Sequence, residues 1–248
     1  MNRYQLTGPD TPFGKLLLRA RLEWQRWGLG FAGERVDPHF LKLARKLVPQ
    51  YTMVALPRLK KLYELGGLLA QEGPEGAVVE CGVWNGGSSA MVAAGLSQHG
   101  ATRPCWLFDS FEGLPEPTEN DDAVVRDGYF PGWCTGAVAR VEEAHRLAGT
   151  VPSSLQIIPG WFNETLAKQA EAIGPIALLH VDADWYDSVT TVFQTLYYQV
   201  VPGGVVVIDD YGSWSGCRRA VHDYFGEAGL HGLTLQPIDG HAVWFIKP

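Results

Sequence analysis

Short apolar runs that alternate with helically patterned segments constrain this chain more than any other feature. The runs at 77–83, 106–108, 176–181 and 205–208 are rich in β-branched or aromatic residues and are bounded by Gly, Pro or Asp, as buried strands are. Segments 56–71, 88–98, 138–148 and 188–199 carry the apolar spacing of helices. Alternation of the two predicts an α/β fold, a mostly parallel sheet covered by helices on both faces. At 248 residues and 46% apolar content the chain can bury one core of that kind, so a single such domain is expected.

Open parallel sheets bind ligands beyond the carboxyl ends of their strands, near the point where strand order reverses. Residues with chemistry should therefore follow each run, and they do: Glu80-Cys81-Gly82, Asp109, Asp182 and Asp209-Asp210. The first run continues as V-V-E-C-G-V-W-N-G-G-S-S over 78–89, whose glycines let the chain turn sharply and approach a ligand before a helix starts. The spacing of Gly82, Gly86 and Gly87 does not match the dinucleotide pattern G-x-G-x-x-G. A carboxylate at Glu80 also disfavours a pyrophosphate, and it suits a cationic ligand such as the sulfonium and amino group of S-adenosylmethionine. A merely tight strand-to-helix connection would leave the same trace. Asp109 closes the second run and could accept both hydroxyls of a ribose; capping the next turn is the simpler alternative.

Asp182 and the Asp209-Asp210 pair should end two neighbouring strands, which would bring three carboxylates to one point. Three anions repel unless a cation joins them, and hard oxygen ligands suit an octahedral ion such as Mg²⁺. Helix capping by each aspartate is the competing account. His180 is expected to be a satisfied core residue. The stretch 113–136, acidic and rich in Pro and Gly, has little periodicity and reads as a long mobile loop of the kind that often forms a lid.

Charge and cysteine usage remove other classes. Twenty basic against 27 acidic residues, a net charge of −7, exclude a surface built to track nucleic-acid phosphates. Cys81, Cys105, Cys134 and Cys217 form no C-x-x-C pair and read as reduced thiols of a cytoplasmic protein. No apolar run is long enough to span a bilayer, so stable membrane insertion is not expected. Residues 13–29 are amphipathic and basic; a helix packed on its own domain, or on a partner in a homo-oligomer, is expected there before a membrane-surface anchor.

Seven segments together resemble the macrocin O-methyltransferase (TylF-like) family, enzymes that methylate sugar hydroxyls of macrolide and aminocoumarin antibiotics. They are Tyr51-Thr52-Met53, E-C-G-V-W-N-G-G-S at 80–88, D-S-F-E-G-L-P at 109–115, P-G-W-F-N-E-T-L at 159–166, D-A-D-W-Y-D-S at 182–188, P-G-G-V-V-V-I-D-D-Y at 202–211 and G-C-R-R-A-V-H-D-Y at 216–224. The resemblance implies a class I methyltransferase (Rossmann-like) domain over 51–248, preceded by an N-terminal helical extension over 1–50 that serves as lid or oligomer contact. It implies a divalent cation, Mg²⁺ by preference, on Asp182, Asp209 and Asp210, with Asp182 also the general base. Glu80, Gly82, Ser88, Asp109 and Ser110 would line the S-adenosylmethionine site, with Trp161 beside the adenine and Tyr51 or Met53 over the methionine portion. The acceptor would be a small-molecule hydroxyl, with Trp133, Trp161, Trp185 and Trp214 as candidate flat walls. Ala183, Gly212 and His222 depart from the family pattern of Gly, His and an acid at those positions, the last two on the acceptor side. A nicotinamide-dependent dehydrogenase and a non-catalytic nucleoside-binding protein are the two rival readings.

Overall fold

The computed structural model describes residues 36–248, so the 13–29 stretch lies outside the described residues. Helix α1 (Pro38–Leu47) starts where the Asp37 carboxylate accepts the His39 amide at 2.7 Å, with proline in the first turn. Helix α2 (Leu56–Gln71) leads into β1 (Ala77–Cys81), α3 (Gly87–Gln98) and β2 (Cys105–Asp109). After α4 (Ala123–Gly128) and α5 (Val138–Ala148) come β3 (Leu155–Pro159), α6 (Phe162–Ile173), β4 (Ile176–Val181), α7 (Tyr186–Leu196) and β5 (Val200–Ile208). Helix α8 (Ser215–Glu227) and the strands β6 (Gln236–Pro237) and β7 (Val243–Ile246) close the chain.

The seven strands form one sheet in the order β3-β2-β1-β4-β5-β7-β6. The five from β3 to β5 are parallel, and β7 runs antiparallel to both β5 and β6. Strands β1 and β4 are buried along their whole length, as strands covered on both faces must be. The residues of β1, β4 and β5 alternate between two apolar layers. Val79, Cys81, Leu179, Val181, Val206 and Ile208 meet α6, α7 and α8, whereas Val78, Leu178, Val205 and Val207 meet α2 and α3. Helix α1 packs Phe40, Leu43, Ala44 and Leu47 with Leu59, Met91 and Ala144, so a division at residue 50 passes through this packed cluster.

Strand order reverses between β1 and β4, where the register pairs Glu80 with His180 and Cys81 with Val181. That crevice is the expected ligand position. The stretch 113–136 is tied down more firmly than its composition predicts. It contains α4, and Asp121 and Asp122 accept the Tyr186 and Ser215 amides at 2.8 Å each, satisfying the exposed starts of α7 and α8. Among the described residues, no helix is long and apolar enough to cross a membrane, and all four cysteines are unpaired.

Candidate active site

A cavity of about 500 Å³ opens over the carboxyl ends of β1, β2, β4 and β5. Its wall includes Tyr51, Met53, Gly82, Ser88, Asp109, Ser110, Trp161, Asp182, Asp209 and Asp210, all of them expected from the sequence. Two expectations need correction. Glu80 is 1% exposed and does not line the cavity; its Oε1 lies 2.8 Å from Nδ1 of His180, its register partner on β4. Period-two alternation turns Glu80 away from the crevice, onto the α2 and α3 face of the sheet. Asp109 does line the cavity, but three backbone amides already occupy its carboxylate. Oδ2 accepts from Val83 and Trp84, each at 2.8 Å, and Oδ1 accepts from Phe111 at 2.7 Å. A carboxylate offers about four lone-pair directions, so room is left for one ribose hydroxyl rather than two. Burial raises the Asp109 pKa, against the lowering effect of those amides.

The acid cluster sits at the base of the cavity. Ligand atoms of His180, Asp182 and Asp209 all lie within 4.8 Å of one another. Burial, then Asp209 and Asp210, push the Asp182 pKa well above the carboxylate range; burial, then Asp184 and Asp209, do the same to Asp210. Burial also works against the charge on Asp209, but His180 and Arg58 outweigh it and hold its pKa below the ordinary value. His180 is buried as expected, yet it is more than filler. Burial opposes its charged form, while Asp209 and Glu80 favour it and raise its pKa to about 10. Its Nε2 stands 3.7 Å from Asp209 Oδ1, an ion-pair separation too long for a hydrogen bond. Asp209 Oδ1 and Asp210 Oδ2 are buried without a hydrogen-bond partner. Unpartnered oxygens on crowded carboxylates fit a hard cation, and the donor set suits one.

Two further side chains, Arg58 and Asp239, are not singled out by the sequence pattern. Arg58 lines the cavity and donates through Nη1 to Asp209 Oδ2. Its spacing was the available signal: positions 58, 62, 65 and 69 share a face of α2, and Leu62, Leu65 and Leu69 are buried. An arginine in an apolar stripe needs a carboxylate partner. Asp239, beside the start of β7, supplies a second one, 3.1 Å from Arg58 Nε. Asp184 lines the cavity with φ at 54°, a conformation that side chains resist, and accepts the Trp214 indole N–H at 3.0 Å. Trp84 and Cys134, also on the wall, have positive φ as well, which concentrates backbone strain at the cavity.

Of the candidate aromatic walls, Trp161 and Trp185 line the cavity. Trp133 and Trp214 pack edge-on against Trp185 with ring centroids 6.1 and 5.5 Å away. The departures at 212 and 222 have local reasons. A Cβ on Gly212 would lie 2.3 Å from the Gly240 carbonyl oxygen, so no histidine fits there. His222 Nε2 lies 2.7 Å from the Tyr211 hydroxyl, which engages the ring of the residue that stands where the family has an acid.

Known proteins resemble this chain in sequence and fold. The family model for macrocin-O-methyltransferase (TylF) matches residues 45–247. The chain is 37% identical over 199 residues to 8-demethyl-8-(2,3-dimethoxy-alpha-L-rhamnosyl)-tetracenomycin-C 4'-O-methyltransferase of Streptomyces olivaceus, covering 79% of this chain and 75% of that one. It is 28% identical over 225 residues to mycinamicin III 3''-O-methyltransferase of Micromonospora griseorubida, covering 86% and 87% respectively. Among solved structures, the O-methyltransferase NovP superposes with a TM-score of 0.69 at 27% identity, over 79% of this chain and 82% of that one. A match across four-fifths of the sequence, on a sheet with its cavity at the reversal of strand order, places this chain in the macrocin-O-methyltransferase (TylF) family of S-adenosylmethionine-dependent O-methyltransferases.

Proposed function

We propose that this enzyme methylates a sugar hydroxyl of a natural product, with Asp182 as general base and a divalent cation, Mg²⁺ by preference, held by Asp182, Asp209 and Asp210. The approach of Asp182 and Asp209 ligand atoms to within 4.8 Å, with a buried oxygen left unpartnered on each of Asp209 and Asp210, carries the reading. The names of the relatives add to it, since one acts on a rhamnosyl tetracenomycin and another on mycinamicin III. When bound, the cation would supply positive charge that lowers the pKa of a nearby hydroxyl and fixes its position.

Asp182 takes the acceptor hydroxyl proton as the oxygen's electron pair forms the bond to the methyl carbon. The carbon–sulfur pair returns to sulfur, and S-adenosylhomocysteine leaves. Gly82, Ser88 and the Asp109–Ser110 corner form the nucleoside end of the cavity in this reading, with Trp161 beside the adenine and Tyr51 and Met53 over the methionine. Glu80 acts one layer below, through His180. Opposite charges cancel along the reaction path, so a half-buried site around Asp182, beside the buried Asp209 and Asp210, favours the transition state over the separated charges.

Two measurements bear on this assignment. Methyl transfer should fall at least about a hundredfold in excess chelator and return with added Mg²⁺; full activity in chelator would strike the cation out and leave Arg58 and His180 as the cationic groups at the cluster. Asp109→Ala should weaken S-adenosylhomocysteine binding by about tenfold to a hundredfold and also lower the unfolding temperature, because three amides lose their acceptor at a cost of about 1–3 kcal/mol each if buried. Calorimetric titration beside a thermal scan reads both. Unchanged affinity would mean that the glycine-rich loop keeps its shape without the carboxylate.

A further inference from the structure

Among the described residues, Arg58 is the one cationic side chain on a cavity wall otherwise rich in carboxylates, and the reaction above gives it no task. It projects from the first turn of α2, with 12% of its side chain exposed. Its guanidinium divides between two acids. Nη1 donates to Asp209 Oδ2, and Nε faces Asp239 Oδ2 at 3.1 Å. Asp239 is itself fixed, because its Oδ1 accepts the His241 and Ala242 amides at 2.8 and 2.9 Å. The two oxygens of Asp209 consequently differ: Oδ2 belongs to Arg58, and the unpartnered Oδ1 lies 3.7 Å from His180 Nε2.

We infer that Arg58 is a positioning residue that sets how tightly the acid cluster holds its cation, keeping the affinity low by placing a fixed positive charge on one of the ligands. The inference rests on the cation reading above. Two effects oppose each other when Arg58 is replaced. Loss of its charge removes repulsion, and between a unit charge and a divalent ion several ångströms apart at an effective dielectric constant of about 20 that is worth upward of about two orders of magnitude in affinity. Loss of its hydrogen bond frees Asp209 to reorient, which weakens binding. Asp209 is 3% exposed and flanked by His180, so little reorientation is available and the charge effect dominates.

The test uses Mn²⁺ as probe, with free ion read from its paramagnetic resonance signal, on the full chain at fixed ionic strength. Arg58→Gln should bind Mn²⁺ at least about tenfold more tightly than the wild type. Arg58→Lys, which keeps the charge but not the fork, should stay within about threefold. Asp239→Asn should weaken Mn²⁺ binding, because it leaves the guanidinium charge to Asp209 alone; this variant keeps Arg58 and serves as the second arm if Arg58→Gln does not fold. Thermal scans give an independent readout: Arg58→Gln should lose stability in chelator and gain more from Mn²⁺ than the wild type does. Equal weakening in both arginine variants, or no tightening in Arg58→Gln while the wild type binds, overturns the inference and spares the cation. Failure of the wild type and every variant to bind Mn²⁺ removes the cation, and the inference with it.

Discussion

Asp182→Asn is expected to cut turnover by about three orders of magnitude while S-adenosylhomocysteine affinity moves by less than about threefold, the scale set by loss of a general base. Asparagine keeps the shape of the side chain, and the Asp182 amide still donates to the Cys81 carbonyl at 2.9 Å, so the end of β4 stays in place. What disappears is a proton acceptor and one anion of the cluster. That second loss has its own signature. Asp209 and Asp210 both push the Asp182 pKa up, behind burial as the largest cause, so the native cluster is under electrostatic strain without a cation. Removing one charge should therefore leave the unfolding temperature in chelator equal to or above that of the wild type. Lower activity with higher stability marks a residue kept for function at a cost to the fold. Collapsed cofactor affinity with preserved turnover would assign Asp182 to the other end of the cavity.

How far the sequence reveals this molecule depends on how deeply each element is buried. β1 and β4 are buried on both faces, and their uninterrupted apolar runs are legible in the sequence. β3 is an edge strand with no fully buried residue, Leu155-Gln156-Ile157-Ile158-Pro159, and its glutamine and proline hide it among loop residues. Helices α2 and α5 coincide with their predicted ranges because each presents a consistent apolar face, whereas α8 begins S-G-C-R-R and blurs that stripe. At the site, the rule that functional residues follow the strands picks out Asp109, Asp182, Asp209 and Asp210, all of which line the cavity. It has no access to where a side chain within a strand points, which is why Glu80 was assigned to the ligand when it faces His180. Nor does it see partners distant in sequence: Arg58 and Asp209 are 151 residues apart and meet only once α2 lies across the sheet.

Gly82→Ala is expected to be the most damaging single methyl added to this chain. Gly82 follows β1 with φ at +91°, and its amide donates to the Phe108 carbonyl at 2.9 Å, so its backbone is held from the β2 side. On the β4 side, a Cβ would lie 1.7 Å from the Asp182 carbonyl oxygen. That oxygen cannot yield by a change of rotamer; only movement of the end of β4, with Asp182 on it, makes room. The positive φ alone costs an alanine about 1 kcal/mol. The displacement should bring the total above about 4 kcal/mol, in the range reserved for backbone strain and overpacking, and lower the unfolding temperature by roughly 8–15 °C. Gly100→Ala separates the two costs, because Gly100 also has positive φ, at +73°, but nothing lies within 4 Å of its Cβ position. Thermal scans of both variants give the contact cost by difference, and Gly82→Ala should also lose methyl transfer in whatever fraction stays folded, since the step that accommodates the methyl displaces Asp182. If the two variants unfolded at the same temperature and both remained active, the close approach of β1 to β4 would not be what holds Asp182 in its place at the cavity.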